Sequence, residues 1–195
     1  APMYRHRVPE SIELDGVVEV DSEDMAIVIM RFKSGAIGQM SKTIAAPGEV
    51  ISANMIYCAE GSINLPSARS GQQVKITKSG DMEPLSAQDT LDMVPDFQID
   101  DQTALLFGGN RRLASYDLDH RQTDAKNIAI ELQDFARAII DNRPPEVTGQ
   151  IGLDAVALIY AMLESGLAHR PVTFSEIVGD QLNDYQNDAN EYMGL

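Results

Sequence analysis

The stretch Met25-Ala-Ile-Val-Ile-Met-Arg-Phe32, with the turn Lys33-Ser-Gly35 and the run from Ala36 to Ile44, decides how this chain is read. β-Branched and other apolar residues crowd the first part, the composition of a strand. Lys-Ser-Gly is a tight turn with a glycine available for positive φ. The chain then returns along Ala36 to Ile44, which closes a hairpin. Both faces of the first strand are apolar, with Met25, Ile27 and Ile29 on one and Ala26, Val28, Met30 and Phe32 on the other. A sheet with one face in water alternates apolar and polar residues. One face is therefore expected to meet helices, and the other a further domain or a second copy of the chain.

Working outward, residues 1 to 23 read as irregular, and the basic residues at the start have no apolar stretch behind them of the kind a signal peptide needs. Val50 to Cys58 reads as a third strand, turned by Glu60-Gly-Ser62 into Ile63 to Leu65. Gln73 to Thr77 is another short strand. Residues 81 to 120, punctuated by Pro84, Pro95, Gly108 and Gly109, read as loop with short strands. They are either an excursion over a site or a disordered insert. Thr123 is the expected N-cap of a helix running to about Asn142. Ile128, Leu132, Phe135, Ala136 and Ile139 form its apolar stripe. Burying Leu132, Phe135 and Ile139 would contribute about 1.5–3 kcal/mol each. Asn142-Arg-Pro-Pro145 stops it. A second helix is expected over Gly149 to Ala168, then an extended Arg170-Pro-Val-Thr-Phe174 and a short polar tail helix. This order predicts an α+β fold, an open and predominantly antiparallel β-sheet with helices packed on one face. Residues 1–177 would form the domain and 178–195 the tail.

The chain has 195 residues, 44% of them hydrophobic, enough for one domain with a core. Its net charge of −15 opposes nucleic acid and anionic membrane, both of which need clustered Lys and Arg. No apolar run is read as approaching the ~20 residues of a membrane span. The lone Cys58 permits no internal disulfide and fits a reducing cytoplasm; its apolar neighbours predict a buried structural thiol. Carboxylate spacings such as Asp100-Asp101 and Asp117-Leu-Asp119 match no calcium loop, so no metal is expected. No glycine-rich loop precedes a helix and no nucleophile sits beside a base. No catalytic, cofactor-binding or metal-binding residue is therefore assigned.

Several stretches, taken in order, resemble the C-terminal domain of the Gfo/Idh/MocA oxidoreductases, the glucose–fructose oxidoreductase and inositol dehydrogenase family. Residues 18–24 (VEVDSED) lead into Met30-Arg-Phe-Lys-Ser-Gly-Ala-Ile-Gly38, which is similar to that family's "RFxNGAxG" hairpin. Ala45-Ala-Pro-Gly48 and Ala59-Glu-Gly-Ser-Ile63 resemble the next two signature stretches. Residues 131–147 and 152–166 resemble its paired closing helices, and 170–174 its final strand. The resemblance implies a dihydrodipicolinate-reductase-like open sheet that completes a substrate pocket and forms subunit contacts. It implies a homo-oligomer through the open sheet face, and NAD or NADP bound by a Rossmann domain in the full-length enzyme. The glycine-rich loop and the Glu-Lys-Pro segment of that other domain have no counterpart here, so no cofactor is expected in this chain.

The segment entering the first helix lies near the substrate pocket in that family. The resemblance thus implies His120, Arg121, Asp124 and Asn127 as groups placed to hydrogen-bond sugar hydroxyls; a solvated loop before a capped helix is the plainer alternative. Lys42, on the second strand, faces either pocket or interface. Tyr116 either stacks on a sugar ring or packs on the helix. The function so implied is the substrate-binding and oligomerisation domain of an NAD(P)-dependent oxidoreductase acting on a sugar, cyclitol or related polyol. The alternative is a stand-alone assembly or sugar-binding module without a cofactor domain.

Overall fold

A computed structural model describes residues 23–43 and 52–194. The irregular first residues and the 45–48 stretch lie outside them. The chain divides into two compact units, one of Ala1–Val50 with Gly149–Leu195 and the other of Ile51–Thr148.

In the first unit, β1 (Met25–Arg31) and β2 (Ile37–Thr43) pair antiparallel, with Val28 opposite Met40. The turn closes through Phe32 N–H to the Ala36 carbonyl and Gly35 N–H to the Phe32 carbonyl, both 2.9 Å. Gly35 adopts φ +89°, the left-handed value for which the turn needs glycine. Side chains alternate along β1: Met25, Ile27 and Ile29 are exposed, while Ala26, Val28 and Met30 are half-buried. Ile29 is 77% exposed, so the two-sided apolar pattern leaves one face uncovered within its unit.

In the second unit, β3 (Asn54–Cys58), β4 (Gly61–Leu65) and β5 (Lys75–Lys78) form an antiparallel sheet with β4 central. The fold class is α+β with open antiparallel sheets, and the described strands are shared between two of them. Edge strand β3 is exposed along its whole length. Cys58, at its end, is therefore an exposed thiol and not the buried one its apolar neighbours predicted.

Residues 81–120 carry two short helices in place of the expected strands. These are α1 (Ala87–Asp92), capped by Ser86, and α2 (Asp101–Leu106), capped by Asp100. The Asp100 carboxyl accepts from Gln102 N–H at 3.0 Å, from Thr103 N–H at 3.2 Å and from the Thr103 hydroxyl. The Thr103 hydroxyl first, and then the two amides, hold its pKa below the usual range. The guanidinium of Arg112 gathers the carbonyls of Leu91 (2.7 Å), Phe97 (3.1 Å), Val94 (3.3 Å) and Pro95. One side chain thus satisfies the backbone where α1 ends, at Met93-Val-Pro-Asp96.

The first long helix, α3, spans His120–Ile140. Its N-cap is Asp119, not Thr123: Gln122 N–H donates to Asp119 at 2.8 Å and the Gln122 side chain accepts from Asp119 N–H, a reciprocal capping box. Thr123 lies one turn inside and is fully buried. The stripe Ile128, Leu132, Phe135 and Ile139 is exposed, Leu132 by 65%, so its own unit supplies no surface to cover it. Asp134 shapes the chain after α3 by accepting from Arg143 and from Glu146 N–H, each at 2.7 Å. Those bonds, the Glu146 amide foremost, lower its pKa.

Back in the first unit, α4 spans Gly149–Ala168 as predicted. By length and composition it is apolar enough to cross a membrane, which the sequence reading did not anticipate. It carries Asp154, however, and Glu164, which is 1% exposed and accepts from Tyr185 N–H at 2.8 Å. The expected extended segment at 170–174 gives way to α5 (Phe174–Val178), because Thr173 and Glu176 form a second capping box. A 3-10 turn at Asp184–Gln186 and α6 (Asn187–Met193) make the polar tail. Tyr185 fixes it to the unit: its hydroxyl donates to Glu23 at 2.6 Å and its ring meets Tyr160 edge-on at 6.4 Å.

Candidate functional site

In the second unit, residues 71–72, α2, the strand-free run 113–116 and α3 line an open cavity of about 280 Å3. Gly71, Gln72, Thr103, Phe107, Tyr116 and Asn127 lie on its wall. Its geometry begins with Gly71, which is buried at φ +69°. A Cβ there would stand 2.1 Å from the Tyr116 carbonyl oxygen. Only glycine permits this approach, which lets Tyr116 N–H donate to the Gly71 carbonyl at 2.8 Å. The bond sets the Tyr116 ring against Phe107, centroids 4.8 Å apart and tilted by 55°. Above Phe107 sits the Lys126 ammonium, 5.7 Å from the ring centroid and bonded to the Leu106 carbonyl at the C-terminal end of α2. Lys126 therefore serves the wall and is not offered to a ligand.

The residues proposed from sequence fall into three groups. Asn127 lines the cavity, and among the described residues its amide makes no hydrogen bond within the chain. It keeps both a donor and an acceptor for a ligand. Asp124 lies one turn earlier on α3 but is committed to Arg69, whose Nη1 reaches its two carboxylate oxygens at 2.9 and 3.1 Å. That bond anchors the loop before Gly71 to α3. His120 and Arg121 occupy the exposed first turn of α3, outside the cavity wall. Lys42 is exposed on β2 in the other unit. Of the five, the structure brings only Asn127 to the cavity. The chain reading missed Gln72, Thr103 and the Gly71–Tyr116 contact, which depend on a loop meeting a distant segment and leave no periodic trace.

A nicotinamide dinucleotide does not fit the N-termini of α2, α3 and α5. Its pyrophosphate needs free amides at a helix N-terminus after a glycine-rich turn. Here the N-termini of α2, α3 and α5 are each closed by an acidic box or cap, at Asp100, Asp119 and Glu176. A phosphate would meet carboxylates in place of open N–H groups. Among the described residues no cluster of His, Cys, Asp and Glu is arranged to hold a metal.

Antiparallel sheets and two long helices define an α+β fold, with a polar–aromatic pocket in its second unit. Residues 3–174 match the family described as "Oxidoreductase family, C-terminal alpha/beta domain", and the chain belongs to that Gfo/Idh/MocA family. Over 187 residues it is 26% identical to a myo-inositol 2-dehydrogenase of Thermotoga maritima, aligning 91% of this chain with 47% of that protein. It thus spans about half the length of that curated relative. No solved structure matches it significantly.

Proposed function

We propose that the chain is the substrate-binding and oligomerisation domain of an NAD(P)-dependent oxidoreductase acting on a sugar, cyclitol or related polyol, in the cytoplasm. The observation that carries the substrate class is the Asn127 amide beside the Tyr116 and Phe107 rings on the wall of one cavity. An amide pairs with vicinal hydroxyls, and an aromatic face covers the C–H side of a sugar ring. The relative's named activity on myo-inositol points the same way. In this reading the chain binds and orients the polyol, and the cofactor belongs to a separate domain. The apolar outer face of β1 supports the oligomer. The lone exposed Cys58 suits a reducing compartment.

The test is an amide-resolved NMR titration of the chain with myo-inositol and glucose. One of them should move Gly71, Tyr116 and Asn127 saturably. Asn127→Ala should weaken that binding by about tenfold, the worth of a buried hydrogen bond. Saturable shifts confined to other residues would remove the cavity from the reading.

A further inference from the structure

The loop of residues 66–74, between β4 and β5, leaves and re-enters the sheet at one point, because Asn64 pairs with Lys75 at its stem. Compact surface loops closed at the stem in this way frequently carry function. The backbone of this one is strained. Arg69 holds φ +71° and Gly71 φ +69°, on either side of Ser70. Glycine enters that left-handed region freely. An arginine does so against its own Cβ and stays only where its surroundings hold it.

What holds Arg69 is at the tip of its side chain. Nη1 donates to both Asp124 oxygens, at 2.9 and 3.1 Å, and the two side chains are 55% and 43% exposed. An ion pair so open to solvent is weak and sensitive to salt. Asp124 stands three residues before Asn127, its neighbour on the surface of α3. A second tie runs from Tyr116 N–H to the Gly71 carbonyl at 2.8 Å. Gly71 and Gln72 therefore belong to the cavity wall through a segment kept in place against its own strain.

We infer that residues 66–72 are a strap that closes on the Asn127 cavity, and that the Arg69–Asp124 pair is its latch. With the latch made, Gly71 stands against Tyr116 and Gln72 completes the wall. With the latch broken, the strain at Arg69 is relieved, the Tyr116–Gly71 bond opens and that wall is lost. Arg69 is then a positioning residue, acting on a ligand through Gly71 and Gln72. A ligand that prefers the closed strap draws the chain toward it. That this ligand is a polyol rests on the reading proposed above; that the strap opens does not.

The experiment follows amide exchange at Tyr116 by NMR in the full chain, alone and with myo-inositol or glucose. Raising NaCl from about 0.1 to 1 M shortens the screening length from about 10 to 3 Å. Tyr116 exchange should then quicken about two- to fivefold, the worth of an exposed ion pair, while the amides of β4 keep their rates. Asp124→Ala should give the same rise and remove the response to salt. Arg69→Glu sets like charges face to face and should quicken exchange further. Adding Asp124→Arg to it should restore protection, a rescue that a side chain needed only for packing would not show. The polyol that binds should slow Tyr116 exchange, and Asp124→Ala should weaken it about two- to fivefold while the Asn127 shifts stay saturable. Tyr116 exchange indifferent to salt and to these variants would overturn the latch. Equal polyol affinity with and without the latch would overturn the strap, which would then close on nothing. Should neither polyol move the cavity residues, the polyol reading fails by itself, and the response of exchange to salt and to the paired variants still decides whether the strap opens.

Discussion

Single side chains decide how this chain's segments end and turn, and Glu176 shows it best. It accepts from Arg170 at 2.8 Å and from Thr173 N–H and the Thr173 hydroxyl at 2.7 Å each. The Arg170 guanidinium foremost, then the Thr173 amide and hydroxyl, pull its pKa from 4.5 to about 2. A carboxyl whose folded pKa is depressed binds protons more weakly folded than unfolded. Its stabilisation is therefore complete above 4.5 and is lost as the pH falls from 4.5 through about 2. We expect Glu176→Gln to lower the unfolding midpoint at neutral pH and to converge with the parent chain near pH 2. Paired thermal melts across that range check it; a constant offset down to the lowest pH would contradict it. This box was legible, since Thr173-Phe-Ser-Glu176 has the capping spacing. The β-branched Val172 and Thr173 instead made the segment read as a strand. The cap of α3 was misplaced for another reason: Thr123 is itself a favoured N-cap type, while the capping spacing Asp119-His-Arg-Gln122 lies four residues earlier. Of the candidate site, the Asn127 position was readable because α3 enters it directly. The Gly71 contact was not, since a glycine in sequence does not say which distant carbonyl it lets approach.

At the scale of elements, periodicity found what repeats and missed what is held by one long-range side chain. The β1–β2 hairpin and α4 stand where pattern put them. Residues 81–120 did not show their helices, because α1 and α2 are too short for a stripe to develop. What orders them is Arg112, which no local rule singles out. It collects four backbone carbonyls from residues 91–97, of which Leu91 and Val94 also accept from backbone N–H groups. Arg112→Met keeps the length of the side chain and removes every donor. We expect a loss of at least about 1.5–3 kcal/mol, the worth of a single charge-assisted hydrogen bond. Hydrogen exchange should quicken at residues 86–107 well before β3–β5 opens. Arg112→Lys should recover part of the loss, because an ammonium reaches fewer of the four carbonyls at once. Uniform destabilisation of both units would instead mark Arg112 as a general stabiliser without this local role.

For the whole molecule, the unexplained quantity is apolar surface. On β1 and the turn after it, Met25, Ile27, Ile29 and Phe32 are each more than half exposed, and Ile37 on β2 adds to the same hairpin. An isolated two-stranded hairpin is marginally stable in water, so this one needs a partner for its outer face. Exposed apolar patches of this kind mark contact surfaces. A two-fold pairing brings the same patch of each copy together and hides both. The net charge of −15 sharpens the test, because like-charged chains associate only where apolar burial outweighs their repulsion. We expect light scattering at micromolar concentration to give at least a dimer, growing more stable as added salt screens that repulsion. Ile29→Glu puts a charge at the most exposed apolar residue of β1 and should yield monomer with little change in α4 helicity. Lys42→Glu, also on the hairpin but on a polar side chain, should leave the assembly intact and so separate loss of apolar contact from a mere change of charge. A monomer from the unaltered chain would remove self-association from the function of the β1 face and leave that face to the separate cofactor domain proposed above.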